Sequence, residues 1–271
     1  MGVSRSYYYR WRGHAVGKRQ RDDEELLKQI RQIHESVRQV YGSPRMRAEL
    51  SARGYNCGHN RVARLMRENG IVARMTIRFR RLTKAGKKPP AAANLLDRKF
   101  EVVIPNSVWA SDITYIPTAE GFLYLAVVLD LCSRRVVGWG MSSRLKPELV
   151  LTALHQALQK RDVGPGLLHH SDRDMLYSCG SYQELLADHG MICSMSRKGN
   201  CYDNACLESF FGSLKNELVA FERFESRDQA ALELFEWIEV FYNRVRRHST
   251  LGYLSPVDYE RENAYANNGV H

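Results

Sequence analysis

Three strand-type segments follow one another between residues 109 and 141, and helix-type and strand-type segments alternate after them. The second of the three, Phe122–Leu131, is almost wholly apolar, as expected of a central strand that is buried on both faces. Periodicity predicts the later elements as helices over Pro147–Lys160 and around Tyr182–His189, strands over Leu167–Asp172 and Met191–Met195, and a helix that starts near Asn204. This order predicts a mixed sheet with helices on its faces.

Three acidic residues lie where this order of elements can bring them together. Asp112 falls within the first strand and Asp172 ends the fourth, while Glu208 lies on the last helix with 35 residues between it and Asp172. The order is that of a ribonuclease H-like fold, in which all three side chains can point to one spot. Carboxylate oxygens are the ligands that Mg²⁺ prefers, and two ions about 3.5–4 Å apart can promote an in-line displacement at phosphorus. We therefore predict phosphoryl transfer with two Mg²⁺ ions, for which Mn²⁺ can substitute.

Each acid also has a purely structural interpretation. An Asp at a strand end is commonly a cap or turn former, and a helical Glu is commonly solvated. Asp112 fits this alternative least, because a charge inside an apolar, β-branched run is costly to bury without a partner or a metal. Asp130, Asp174 and Asp203 are competing ligands, although an ion pair with the arginines that follow is the simpler interpretation of Asp130.

The N-terminal third of the chain is strongly cationic. Residues 1–98 hold 23 of the 40 Lys and Arg residues but 8 of the 30 Asp and Glu residues. A cationic module joined to an apolar body predicts binding to a polyanion, and nucleic acid is the commonest one. A solvated surface is the alternative that charge alone leaves open.

Helical periodicity in this third predicts a helix-turn-helix. An amphipathic helix is expected over Asp22–Tyr41, a second helix from Ser43 as N-cap to about Gly54, and a third from Asn60 to Asn69. A short connection rich in turn formers joins the last two helices.

The third of these helices has one apolar face and one cationic face, with arginines at every third position, Arg61, Arg64 and Arg67. In a helix-turn-helix such a face lies in the DNA major groove, where arginine contacts phosphates or guanine edges. We predict that these three residues bind DNA. An ordinary solvated arginine face is the alternative.

The cysteines and the apolar runs indicate the compartment. Six cysteines lie at irregular spacings without a Cys-x-x-Cys pair, so we expect reduced thiols and no zinc site. No apolar signal segment begins the chain, and no run has the length of a membrane span. We expect a soluble cytoplasmic protein with no membrane partner.

Several longer motifs resemble one known family. They are the stretches Trp109–Tyr115, Leu123–Asp130, His169–Arg173, Ser194–Ala205, Glu208–Phe211 and Tyr242–Arg244. In this order they resemble the bacterial insertion-sequence transposases whose core is similar to retroviral integrase, over about residues 20–260. The resemblance implies a ribonuclease H-like core with Asp112, Asp172 and Glu208 as the metal-binding triad, preceded by a small all-α helix-turn-helix domain.

The same resemblance implies a DNA transposase that cleaves the 3′ ends of an insertion sequence and transfers them to a target. Lys215 would hold a terminal phosphate two helical turns beyond Glu208, and Arg197 and Lys198 would lie in a basic loop beside the site. The expected partners are double-stranded DNA of the element ends and target, further copies of the chain on DNA, and an upstream-frame product. The protein would be nucleoid-associated when bound.

These observations predict five segments along the chain. They are a basic tail (1–21), a helix-turn-helix domain (22–72), a basic arm and linker (73–98), an integrase-like catalytic core (99–222), and a C-terminal helix and tail packed on the core (223–271).

The loop after Asp172 departs from the family pattern. Asp174-Met175-Leu176 stands where the family usually has Gly-Ser-Gln, and a tight loop beside a metal ligand tolerates change poorly. We expect any loss of activity to originate in this loop.

Two other functions are compatible with some of these residues. A chain that binds element ends without catalysis would act as a regulator of transposition and share every DNA-binding feature. A metal-independent tyrosine recombinase would use His170 and Arg173 as its His-x-x-Arg pattern and Tyr202 as its nucleophile. That pattern expects a helix, where this sequence predicts the end of a strand.

Overall fold

The computed structural model of the chain describes residues 5, 17–74, 92–197 and 201–268. It divides into two compact units, residues 1–74 and residues 75–271. Most of the predicted basic arm and linker, 73–98, lies outside the described residues.

The described part of the first unit contains three helices, α1 (Lys18–Ser36), α2 (Ser43–Ala52) and α3 (His59–Glu68). Apolar side chains at helical spacing form its buried core, which includes Leu26, Ile30, Ile33, Met46, Leu50, Val62, Leu65 and Met66. The predicted small all-α domain is confirmed.

The first helix ends earlier than periodicity predicted. Arg38 and Gln39 have φ angles of 54° and 61°, so the backbone leaves the helical conformation before residue 41. Val37 and Val40 are nevertheless buried. The apolar pattern therefore detected burial correctly, but part of that burial lies in a turn.

The predicted cap of the second helix has a different role. Gly42 precedes the first residue of α2 in extended conformation. The Ser43 hydroxyl is instead hydrogen-bonded to His59 Nε2 at 3.0 Å. Because His59 begins α3, Ser43 links the two helices of the predicted helix-turn-helix.

The described part of the second unit contains a five-stranded sheet in the order β3-β2-β1-β4-β5. Its strands are β1 (Val108–Thr118), β2 (Gly121–Asp130), β3 (Val136–Ser142), β4 (Leu168–Ser171) and β5 (Ile192–Met195). The central strand β1 pairs antiparallel with β2 and parallel with β4. The predicted mixed α/β sheet is confirmed.

Helices flank this sheet, and some continue into irregular turns. The α-helices are α4 (Pro147–Lys160), α5 (Gly180–Asp188), α6 (Ala205–Leu214), α7 (Arg227–Phe235) and α8 (Pro256–Asn268). A 3₁₀ turn over Cys201–Asn204 precedes α6, and π-helical turns over Lys215–Val219 and Glu236–Tyr242 extend α6 and α7. A further 3₁₀ turn covers Ser249–Leu251.

Two glycines of β3 allow α4 to lie directly on the sheet. A Cβ atom at Gly138 would lie 2.7 Å from the backbone nitrogen of Ala157, and one at Gly140 would lie 2.6 Å from the carbonyl oxygen of Leu149. Any larger residue at either position would separate helix and strand. The apolar core between α4 and the sheet includes Trp109 from β1.

The C-terminal segment packs on the same unit. The ring of Phe210 on α6 meets the rings of Trp237 and Tyr242 edge-on, at centroid distances of 5.8 and 4.8 Å. The Asn243 side chain donates to the carbonyl of Val136 and accepts from its N–H, both at 3.0 Å. These contacts anchor the chain after α7 to the start of β3.

Candidate active site

The two aspartates of the predicted triad lie side by side on the central strands. β1 and β4 run parallel with Ser111 opposite Ser171, so Asp112 and Asp172 are the next residues on two neighbouring chains. Adjacent strands lie about 4.8 Å apart. Both aspartates are partly exposed where β4 ends.

Glu208 approaches the same place from a helix. It lies in the first turn of α6, which packs against β1. Burial, then the charge of Asp172 and to a smaller extent that of Glu208, raise the pKa of Asp112 to about 7, while a hydrogen bond from the N–H of Ile113 at 2.8 Å opposes this rise. The three carboxylates therefore share one electrostatic environment.

The three carboxylates are not gathered as ligands in this conformation. Among the described residues, no group of three His, Cys, Asp or Glu side chains is arranged to hold a metal ion. That Asp112, Asp172 and Glu208 bind one ion together therefore stays a prediction. By chemistry the donors fit a hard divalent cation, because three carboxylates supply oxygen ligands and a cation removes their mutual repulsion.

The loop that departs from the family pattern forms a compact turn. The N–H of Asp174 donates to Asp172 Oδ1 at 2.9 Å, and Asp174 Oδ1 accepts from the N–H of Leu176 at 3.0 Å. Arg173 ties the turn to the chain after β5 through a 2.7 Å hydrogen bond to the carbonyl of Ser196. After burial and the charges of Asp172 and Glu208, Asp174 also contributes to the raised pKa of Asp112. Asp174 thus adds a negative charge to the acidic cluster.

Lys215 places a cation beside these acids. It follows α6 directly, and its ammonium lies 5.3 Å from the centre of the Tyr115 ring on β1. Burial lowers the pKa of Lys215, and the nearby charge of Asp112 opposes that effect. Its predicted contact with a terminal phosphate stays a prediction.

Asp130, a competing acid, caps a turn. Its buried carboxylate accepts hydrogen bonds from the N–H groups of Asn106, Cys132 and Ser133 at 2.6, 2.9 and 3.0 Å. The turn is therefore held by backbone N–H groups, and the ion pair that we expected with the arginines that follow is not its principal contact.

Asp203, another competing acid, holds Arg197. The Arg197 guanidinium donates to both carboxylate oxygens of Asp203 at 3.0 and 2.9 Å, and Asp203 itself is fully buried. Arg197 was predicted to bind DNA, but its guanidinium is engaged within the protein. Lys198, predicted to bind DNA with it, lies outside the described residues.

Two of the three predicted DNA-binding arginines on α3 also contact an acid. Arg61 and Arg64 each donate to Asp23 of α1 at 2.6 Å, and Arg64 also donates to Glu68 at 2.7 Å. The three-residue spacing correctly placed these arginines on one face of α3. It could not show that Asp23, on another helix, covers part of that face. Arg67 is exposed.

The geometry does not favour a tyrosine recombinase. His170 lies on β4, is buried, and is hydrogen-bonded to Ser194 and Ser196 at 2.9 and 3.1 Å. The helix that a His-x-x-Arg pattern needs is replaced by a strand.

The described residues also include most of the cysteines and helices in both units. The five cysteines whose side chains are described are free thiols. Within the described ranges, no helix is long and apolar enough to cross a membrane.

Comparisons with known proteins match both units. The HTH-like domain model matches residues 20–79, and two models of the integrase core domain match residues 103–201 and 189–256. The chain is 42% identical over 261 residues to the insertion element IS600 uncharacterized 31 kDa protein of Shigella sonnei, covering 96% of each chain. It is 41% identical over 263 residues to transposase InsF for insertion sequence IS3A of Escherichia coli strain K12, covering 96% of this chain and 91% of the relative. Among solved structures, a simian T-cell lymphotropic virus intasome in complex with PP2A regulatory subunit B56 gamma has a TM-score of 0.49 at 12% identity, covering 85% of this chain and 73% of the other.

Proposed function

Because the chain belongs to the IS3 family of insertion-sequence transposases, we propose that Asp112, Asp172 and Glu208 are the carboxylates with which it cleaves and joins DNA. The parallel register of β1 and β4, which makes Asp112 and Asp172 neighbours, carries this assignment. Glu208 also raises the pKa of Asp112, although less than burial and the charge of Asp172 do, and this supports Glu208 as the third carboxylate. The chain is a DDE polynucleotidyl transferase of the integrase-core class.

The proposed site takes two Mg²⁺ ions, for which Mn²⁺ can substitute, held by these three carboxylates. Bound divalent cations supply the Lewis acidity that activates an attacking oxygen and stabilises a leaving one. The protein contributes rigidity, since strands β1 and β4 fix Asp112 and Asp172 while α6 carries Glu208 to them.

The reaction comprises two displacements at phosphorus. In the first, water opens a phosphodiester at the end of the element and frees a 3′-hydroxyl. In the second, that hydroxyl attacks a phosphodiester of the target, which forms the new bond and releases a target 3′-hydroxyl, without a covalent protein intermediate. Lys215, beside Tyr115, orients the terminal phosphate through its charge.

The proposed division of labour follows the predicted segments. Residues 22–72 bind the element ends with α3 in the major groove, where Arg67 is the exposed arginine. The basic arm of 73–98 follows the phosphate backbone. Residues 99–222 carry out the chemistry, and residues 223–271 brace them. The proposed partners are duplex DNA of both ends and target, further copies of the chain, and an upstream-frame product.

A strand-transfer assay with labelled duplexes of the element's own ends tests this function. In Mg²⁺ the wild-type protein is expected to cleave and join, and Asp112→Asn and Glu208→Gln are expected to do neither. Asp188→Asn is the matched control, because Asp188 is an exposed acid on α5 and should retain both activities.

Three outcomes would overturn the assignment. Cleavage that persists in a chelator would exclude a metal mechanism, and full activity of Asp112→Asn would exclude the triad. End binding without cleavage by the wild-type protein, even with the upstream-frame product added, would indicate a regulator.

A further inference from the structure

A buried tyrosine beside the acidic cluster has a hydroxyl without a partner. Tyr177 is 1% exposed, and its hydroxyl oxygen has no hydrogen-bond partner among the described residues. Burying a hydroxyl without a hydrogen bond is unfavourable, and phenylalanine would fill the same space without that penalty. Packing alone therefore does not account for this hydroxyl.

The position of Tyr177 is fixed by its neighbours. Its N–H donates to the carbonyl of Asp174 at 3.2 Å, and its own carbonyl accepts from the Gln183 side chain at 2.7 Å. Its ring meets the ring of Tyr182 edge-on, with 5.3 Å between centroids. Tyr177 is therefore held at the end of the turn that begins at Asp172.

The phenol is also within electrostatic range of the predicted ligands. Burial first, then Tyr182, and then the charges of Asp112, Asp172 and Asp174 raise the pKa of Tyr177. The hydroxyl therefore keeps its proton, and as a buried group without a partner among the described residues it is available as a hydrogen-bond donor.

The neighbouring tyrosine provides a contrast. Tyr182 is as deeply buried as Tyr177, but its hydroxyl is hydrogen-bonded to His169 Nε2 at 3.1 Å, and His169 is in turn bonded to the Ser111 hydroxyl at 2.9 Å. One hydroxyl of this edge-on pair thus has a hydrogen-bond partner in a buried network, and the other has none among the described residues.

We propose that Tyr177 is a positioning residue of the metal site, whose hydroxyl donates a hydrogen bond to the Asp112 carboxylate when the carboxylates gather on a divalent cation. This inference rests on the proposed function of the triad. Asp112 Oδ1 already accepts the N–H of Ile113 at 2.8 Å, and a second donor fixes the plane of the carboxylate. Groups that orient metal ligands in this way commonly change metal affinity by about 10–100-fold.

Tyr177→Phe tests the proposal through metal binding, independently of catalysis. In a titration of the full-length protein with Mn²⁺, followed by the EPR signal of the free ion, the variant should bind about tenfold more weakly than wild type. Its melting temperature without metal should equal or exceed that of wild type, because the hydroxyl it loses has no bond to break. Tyr182→Phe should do the opposite, lowering the melting temperature while leaving Mn²⁺ affinity within about twofold.

Unchanged Mn²⁺ affinity in Tyr177→Phe would overturn the proposal, and so would a loss of metal-free stability as large as that of Tyr182→Phe. Asp112→Asn separates this failure from failure of the proposed function. If Asp112→Asn binds Mn²⁺ like wild type, the triad itself is wrong. If Asp112→Asn loses affinity and Tyr177→Phe keeps it, the role of Tyr177 alone is wrong.

A second measurement avoids any folding defect of the phenylalanine variant. With 3-fluorotyrosine at position 177 in an otherwise unchanged chain, the ¹⁹F resonance should move when Mg²⁺ is added, whereas the same probe at position 182 should report little change. A resonance at position 177 that is unmoved at saturating Mg²⁺ would overturn the proposal.

Discussion

Arg197 and Asp203 form a bidentate ion pair, with nitrogen to oxygen distances of 3.0 and 2.9 Å, between the end of β5 and the start of α6. Asp203 is fully buried and also accepts from Arg98 at 3.1 Å. Because α6 carries Glu208, this pair helps to hold the helix that brings the third carboxylate to the sheet.

We expect the pair of Arg197 and Asp203 to contribute to the unfolding free energy by an amount that depends on pH. Hydrogen bonds from Arg197, against the opposing effect of burial, hold the pKa of Asp203 well below its ordinary value. A carboxylate with a lowered folded-state pKa stabilises fully above its unfolded pKa of about 4, and this stability is lost as the pH falls further. Asp203→Asn should therefore lower the unfolding free energy by about 2 kcal/mol in urea at pH 7, allowing for the half-exposed arginine. Between pH 4 and pH 3, the unfolding free energy of this variant should decrease less than that of wild type.

Asp97→Asn is the control for that experiment. Asp97 also pairs with Arg197, at 3.2 Å, but its side chain is 59% exposed. Its loss should change stability by less than about 0.5 kcal/mol. Equal effects of the two substitutions would contradict the importance of burial at Asp203.

The architecture of the sheet could be predicted from the sequence because its strands are strongly apolar and follow a familiar order. Asp112 and Asp172 could be expected on neighbouring strands because the order of elements is that of a ribonuclease H-like fold. The pairing of Ser111 with Ser171, which makes the two aspartates adjacent, is visible only in the structure. The end of α1 could not be predicted, because Arg38 and Gln39 adopt positive φ without a glycine to signal it.

Long-range pairing explains the other differences. Asp23 lies 38 residues before Arg61 in the sequence, so periodicity within α3 could not reveal their contact. The unpartnered hydroxyl of Tyr177 is visible only once its surroundings are known.

Gly138 and Gly212 predict opposite results for the same substitution. A Cβ at Gly138 would lie 2.7 Å from the backbone nitrogen of Ala157, so Gly138→Ala should destabilise the protein by about 3 kcal/mol. A Cβ at Gly212, within α6, meets nothing within 4 Å, so Gly212→Ala should stabilise by about 0.5–1 kcal/mol. Urea unfolding of both variants provides the measurement, and destabilisation of similar size in both would refute the close approach of α4 to β3.

Arg67 and Arg64 should differ in what their loss affects. Arg67 is exposed, so Arg67→Ala should weaken binding to end duplexes and lower the slope of log affinity against log salt by about 1. Arg64 contacts Asp23 and Glu68, so Arg64→Ala should lower the unfolding free energy more than Arg67→Ala does. Fluorescence anisotropy and urea unfolding distinguish the two, and an unchanged salt slope in Arg67→Ala would contradict its predicted DNA contact.

Asp174 should destabilise the protein when no metal is bound. Asp174→Asn keeps an acceptor for the N–H of Leu176 but removes one negative charge from the acidic cluster. At low salt without metal, the variant should be more stable by about 0.5–1 kcal/mol, and saturating Mg²⁺ should reduce the difference. Asp188→Asn should show no such dependence on Mg²⁺. A variant less stable than wild type would indicate that the charge of Asp174 supports the turn.

Lys215 should act on the DNA end more than on the fold. Its half-buried ammonium lies between the Tyr115 ring and the charge of Asp112, where a terminal phosphate would replace water as its partner. Lys215→Gln should therefore raise the KM for end duplexes about tenfold, the loss expected for one charge-assisted contact, with a smaller change in kcat. Lys146→Gln removes an exposed lysine beside α4 and controls for the general loss of charge. If Lys215→Gln lowers kcat at unchanged KM, the ammonium acts on the reacting groups and not on end binding, because only a contact made equally before and during the reaction changes KM alone.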